Sequence, residues 1–116
     1  MGALTTHVLD TSTGTPGRGI RYDLYRSGPE PRHLAGGTTN DDGRCPQPLL
    51  EGEAFEAGTY DLVFQAADYF EAQGHAPGES PFLGEVVIRF GVDDPARHYH
   101  VPLLLSRFGY TTYRGS

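Results

Sequence analysis

The sequence predicts an all-β sandwich of seven to eight short strands with one short helix, and three observations carry that expectation. Sixteen glycines and nine prolines punctuate the 116 residues at short intervals instead of collecting in one linker, which suits many short strands joined by turns. Apolar residues alternate with polar ones in several short runs, the signature of half-buried strands. A helical pattern is confined to a single stretch, "QAADYFEAQG".

The first apolar segment, "LTTHVLD", reads as a strand on which His7 shares a face with Thr5 and Leu9. In "RYDLYR", Tyr22 and Leu24 oppose Arg21 and Asp23. "PRHLAGG" is Gly- and Pro-rich, so His33 is expected in an exposed loop, as is His75 in "QGHAPGES". "NDDGR", from Asn40 to Arg44, predicts a tight turn because Asp and Gly tolerate the dihedrals required. Tyr60, Leu62 and Phe64 alternate against Asp61 and Val63 in the next strand. The helix then runs from about Ala66 to Gln73 and stops at Gly74. In "GEVVIRF", Val86, Ile88 and Phe90 stand opposite Glu85, Val87 and Arg89.

The strand "RHYHVPLLLS" is different. His98 and His100 point the same way, while from Val101 to Leu105 both faces are apolar. A sandwich strand with an apolar outer face needs a cover other than water, and a second subunit is the natural one. Pro102 cannot donate to a ladder, so this strand is expected at a sheet edge or locally bulged, where it would pair with a symmetry mate.

Bulk properties narrow the function. A chain of this length forms one domain, 1–116, with a single core. Fifteen acidic residues outweigh nine basic ones, for a net charge of −6, which argues against nucleic acid or an anionic membrane as a partner. "MGALTTHVLD" has neither a basic start nor a long apolar run, so neither a signal peptide nor a membrane span is expected. The single cysteine, Cys45, allows no internal disulfide, and the expected compartment is the cytoplasm.

A His-X-His pair in a β protein is more often structural than catalytic. Here, however, first and late strands of a sandwich often meet, which would bring His7 to His100. Such imidazoles can ligate zinc or shuttle protons near neutral pH, and spacing does not choose between them. Arg44 is a solvated loop residue in the bland reading and a fixed cationic donor for an anion or oxyanion in the functional one. Cys45 has no evident base beside it and is taken as incidental.

The blocks "LTTHVLDTSTGTPGRGI", "TNDDGR" and "HYHVPLLLS", followed by the terminal "YTTYRGS", resemble the 5-hydroxyisourate hydrolases, transthyretin-related enzymes of urate breakdown. The likeness runs from Leu4 to Ser116, and the tetrapeptide Tyr113-Arg114-Gly115-Ser116 is its most specific part, separating the hydrolases from hormone-carrying transthyretins. The resemblance implies a transthyretin-like (prealbumin-like) sandwich in a dimer-of-dimers homotetramer, with sites in the channel between dimers. His7, Arg44 and His100 match the family's catalytic trio, Tyr113 and Ser116 match site-lining residues, and His98 takes a supporting role at the substrate. The family uses no metal or other cofactor, which favours proton transfer over zinc. Ser106-Arg107 stands where Ser-Pro is usual, and Gly84 where a proline is more usual; neither touches the trio.

The function so implied is hydrolysis of 5-hydroxyisourate by water activated at the histidines, with Arg44 holding the anionic substrate. Three rivals differ in class: a transthyretin-like carrier of a small aromatic ligand, a zinc hydrolase using the three histidines, and an adhesive or scaffolding β-domain. The proton-transfer groups disfavour the first, and the missing secretion signal and disulfide disfavour the last.

Overall fold

In the computed structural model, which describes residues 2–76 and 80–115, the chain folds into two facing β-sheets. The first sheet runs β2 (Thr15–Pro16), β1 (Ala3–Asp10), β8 (Tyr99–Ser106), β9 (Gly109–Thr112), with β5 (Leu50–Glu51) paired to the start of β1. The second runs β4 (Arg32–Thr38), β3 (Arg21–Arg26), β6 (Gly58–Gln65), β7 (Glu85–Val92). The seven longer strands match the expected number, and β2 and β5 are two-residue additions. Helix α1 spans Ala66–Ala72 and ends where Gly74 turns left-handed at φ 94°.

Alternation explains which residues face inward. In β1, Leu4, Thr6, Val8 and Asp10 are buried and the intervening side chains are half-exposed. Leu4, Val8, Leu103 and Leu105 of the first sheet join Tyr22, Leu24, Leu62, Phe64 and Ile88 of the second in one core. Each fully buried apolar side chain contributes about 1.5–3 kcal/mol of transfer free energy. Asp10 locks the end of β1: its carboxylate accepts the Ser12 N–H at 2.9 Å and the Tyr69 hydroxyl of α1 at 2.7 Å. Burial and that carboxylate together raise the Tyr69 phenol well above its ordinary pKa.

Two expectations need correction. The strand carrying Pro102 is not at an edge: β8 is interior, parallel to β1 and antiparallel to β9. The missing N–H is accommodated differently. The β8–β9 ladder stops at Leu103↔Thr112 and resumes in the same register at the isolated bridge His100↔Gly115. Between them Thr112 Oγ1 donates to the Pro102 carbonyl at 2.8 Å. His33, second, belongs to edge strand β4 and not to a loop. Its Gly36 and Gly37 allow close approach, because a Cβ at Gly36 would lie 2.5 Å from Asp23 Oδ1 and one at Gly37 2.7 Å from the Tyr22 hydroxyl. The His33 ring is half-exposed as expected, and its Nε2 lies 2.8 Å from Asp23 Oδ1.

Candidate functional site

Parallel pairing of β1 with β8 sets Thr5 opposite His100, His7 opposite Pro102 and Leu9 opposite Leu104. Residues in register share a face, so the outer surface of this sheet carries Thr5, His7 and His100 at one end and Leu9 with Leu104 at the other. Both of these leucines are only partly buried in the single chain. The imidazoles expected to converge do so. His7 Nδ1 lies 2.6 Å from His100 Nε2, with ring centroids 4.8 Å apart and planes 14° from parallel.

Arg44 reaches the same place through the predicted turn. Asn40 Oδ1 accepts the N–H groups of Asp42 and Arg44 at 3.0 Å each, and Gly43 takes φ 74°. The Gly43 carbonyl accepts the Val8 N–H at 2.7 Å, an approach so close that a Cβ on Gly43 would collide with the Val8 carbonyl oxygen. Arg44 thereby forms an isolated antiparallel bridge to His7 and remains exposed. Cys45 turns back instead, and the Thr6 N–H donates to its sulfur at 3.4 Å.

Both imidazoles are held below the ordinary histidine pKa of 6.5. For His7 the main cause is burial and the second the Arg44 guanidinium. For His100 burial again leads, followed by His7, Arg44 and His98. Each effect penalises the imidazolium, so the neutral forms prevail at pH 7. One member of a neutral pair sharing a single proton offers a lone pair, the requirement for activating water.

The two nitrogens stand at hydrogen-bond distance, 2.6 Å apart, closer than the roughly 3.3 Å between two nitrogens bound to one tetrahedral zinc at about 2.0–2.1 Å. Among the described residues no three His, Cys, Asp or Glu side chains converge in a metal-holding group.

Two groups join the trio that composition and spacing did not single out. Thr5 Oγ1 lies 2.8 Å from His100 Nδ1 and 3.2 Å from His98 Nε2, which brings exposed His98 to the cluster through a hydroxyl. The period-two alternation that put Thr5 on the face of His7 was its only signal. Gly115 is the other. Its N–H donates to the His100 carbonyl at 2.7 Å, and a Cβ on it would sit 2.8 Å from His100 Cδ2. Arg114, with its guanidinium 4.0 Å from the centre of the Tyr99 ring, pins the same tail.

Tyr113, two residues before Gly115, is 56% exposed and borders a cleft between β7 and β9 with Ile88, Tyr99 and Val101. Among the described residues it makes no hydrogen bond to the trio. Ser116, the other expected lining residue, lies outside the described residues. Arg107 stacks on Phe108 at 5.2 Å, and Gly84 accepts the Ala67 N–H at the start of α1.

A family model described as "HIUase/Transthyretin family" matches residues 4–115. The 5-hydroxyisourate hydrolase of Pseudomonas aeruginosa is 54% identical over 117 residues, covering 100% of this chain and 93% of that protein. The structure of Klebsiella pneumoniae 5-hydroxyisourate hydrolase superposes with a TM-score of 0.83 at 34% identity, covering 100% of both chains. That of (S)-allantoin synthase superposes with a TM-score of 0.91 at 44% identity; there this chain spans 44% of the longer protein.

Proposed function

This chain belongs to the HIUase/Transthyretin family, and from that membership we propose that His7, Arg44 and His100 form the active site of an enzyme that hydrolyses 5-hydroxyisourate. The whole chain acts as one hydrolase domain of urate breakdown. It opens the six-membered ring at the N1–C6 amide to give 2-oxo-4-hydroxy-4-carboxy-5-ureidoimidazoline. The observation that carries this reading is the neutral imidazole pair, 2.6 Å apart and lowered in pKa beside a guanidinium, in a chain that shares more than half its residues with a hydrolase of that name.

Amide hydrolysis requires an activated water, a partner for the developing oxyanion and a proton for the departing nitrogen. The histidine pair takes the proton of the water. Arg44 holds the anionic ring and faces the charge that develops on the carbonyl oxygen, with a planar fork that a lysine does not reproduce. Net negative charge on the protein is no obstacle, since distant charges are screened within about 8–10 Å while local donors are not. His98 supports from the exposed side, and Tyr113 and Ser116 line the pocket once subunits assemble. The reading calls for no cofactor. A carrier on the same sandwich would have no use for a proton-sharing pair.

The chain works as a dimer-of-dimers tetramer in the cytoplasm, with the site facing the channel between dimers. What supports assembly is the half-exposed Leu9–Leu104 strip on the same sheet face as the imidazoles. No described helix is long and apolar enough to cross a membrane. The test is direct: 5-hydroxyisourate is generated in situ with urate oxidase and its ultraviolet absorbance followed. Disappearance no faster than the spontaneous decay would overturn the reading.

A further inference from the structure

Resting on that reading, we propose that Thr5 is a positioning residue whose hydroxyl joins His7 and His100 to His98 in one proton path from the reaction cleft to solvent. The chain of contacts is His7 Nδ1 to His100 Nε2 at 2.6 Å, His100 Nδ1 to Thr5 Oγ1 at 2.8 Å, and Thr5 Oγ1 to His98 Nε2 at 3.2 Å. His7 and His100 are half-buried, whereas His98 is exposed.

A hydroxyl has one proton, so Thr5 can donate to only one of its two imidazoles and must accept from the other. With all four groups neutral, this leaves two self-consistent arrangements. In the first, Thr5 donates to His98 Nε2, His100 Nδ1 donates to Thr5, and His7 Nδ1 donates to His100 Nε2. His7 Nε2 then carries a lone pair and can act as a base. In the second every donor is reversed, and His7 Nε2 carries a proton and can act as an acid.

Proton transfer interconverts the two. A water attacking the substrate gives its proton to His7 Nε2, and the Nδ1 proton of His7 moves to His100 Nε2. The Nδ1 proton of His100 passes to Thr5, whose own proton passes to His98 Nε2. His98, now an imidazolium, releases its Nδ1 proton to bulk water. One proton has entered and one has left, with no change in the covalent frame of the protein. Running backwards, the path lets His7 Nε2 protonate the departing nitrogen.

The charge distribution gives the path its use. Without it, the positive charge would remain on the half-buried His7–His100 pair near Arg44, where burial and the guanidinium already depress both pKa values. Thr5 moves the positive charge to the exposed end. The charged or titratable groups that bear on the two half-buried imidazoles are Arg44 from the loop after β4, His7 from β1 and the His98–His100 pair at β8.

Thr5→Val keeps the branched shape and removes the hydroxyl, with Thr5→Ser as the conservative control and His98→Ala as an independent break at the exposed end. With 5-hydroxyisourate, Thr5→Val should lower kcat roughly ten- to a hundredfold with little change in KM, and Thr5→Ser should restore most of it. The dependence of kcat on the deuterium fraction of the solvent should be more strongly bowed in the wild type, where the protons of Thr5 and His98 move with those of the His7–His100 pair, than in Thr5→Val, where only that pair remains. His98→Ala should lose kcat in dilute buffer and regain it on addition of imidazole. Wild-type kcat and curvature in Thr5→Val, or no loss in His98→Ala, would overturn the path. A wild-type protein that fails to accelerate decay would instead overturn the functional reading, while the downfield imidazole N–H resonance of the His7–His100 bond, expected to shift in Thr5→Val, tests the path without substrate.

Discussion

Replacing Gly115 by alanine probes a single contact. The φ of Gly115 lies outside the left-handed region, so alanine brings no backbone strain. Its Cβ would stand 2.8 Å from His100 Cδ2 and 3.4 Å from both Cβ and Cγ of that residue. Carbon atoms pack at about 3.5–4.0 Å, so relief takes a displacement of roughly 0.7–1.2 Å. The tail cannot retreat without losing the 2.7 Å bond from the Gly115 N–H to the His100 carbonyl. The ring cannot turn without losing its bonds to His7 and Thr5. A misplacement of about 1 Å at a reacting group costs up to a hundredfold, so kcat/KM in the urate oxidase-coupled assay should fall roughly ten- to a hundredfold. Stability should hardly respond: one backbone hydrogen bond is worth about 0.5–1.5 kcal/mol, a change of several degrees at most in Tm. A Gly115→Ala enzyme within about threefold of the wild type, a difference below roughly 0.7 kcal/mol, would show that the tail does not set the position of His100.

Further outcomes follow from the same cluster. His7→Ala and His100→Ala should each reduce kcat about a hundred- to ten-thousand-fold while far-ultraviolet circular dichroism stays native; near-normal turnover in both would remove the assignment. Arg44→Lys should lower kcat/KM about ten- to a hundredfold through loss of the paired, charge-assisted donors, and an unchanged value would remove the argument from the planar fork. Because His7 and His100 are lowered in pKa, activity should hold as pH falls past 6.5 and drop only below it. Arg44 is the second cause of that lowering at His7, so in Arg44→Ala the residual acid limb should move upward in pH; a downward move would contradict the electrostatics. Residues appended after Ser116 should harm turnover more than an extension before Met1, and equal activity of the two fusions would count against a tail-lined pocket.

What was legible in the sequence was whatever depends on local periodicity. "RYDLYR", "TYDLVF" and "GEVVIRF" became β3, β6 and β7 because two-residue alternation is itself the cause of a one-sided core. "NDDGR" worked because its Asn and Gly make the turn with their own atoms. "RHLAGGT" failed for the opposite reason: its glycines carry no strand propensity, and β4 is set by its antiparallel ladder with β3, where Tyr22 and Asp23 occupy the space that side chains at Gly36 and Gly37 would need. Pro102 misled because a missing donor was read as a free edge, whereas the β8–β9 ladder is interrupted between Leu103↔Thr112 and His100↔Gly115 and keeps its register across the gap. The meeting of His7 and His100 could be anticipated from strand order in sandwiches. The bridging hydroxyl could not, since Thr5 meets His100 only through an inter-strand register that neither segment encodes alone.

The parallel seam between β1 and β8 also governs when the protein acquires its chemistry. It joins position 5 to position 100, so it closes only after nearly all of the chain has left the ribosome, at about 5–20 residues per second. The sheet β4-β3-β6-β7 pairs segments that lie nearer to one another in the chain and can form earlier, because shorter loops close at lower entropic cost. A polypeptide stalled before Tyr99 would therefore hold half a sandwich and no catalyst, and enzymatic competence arrives in one late event when the last strands dock.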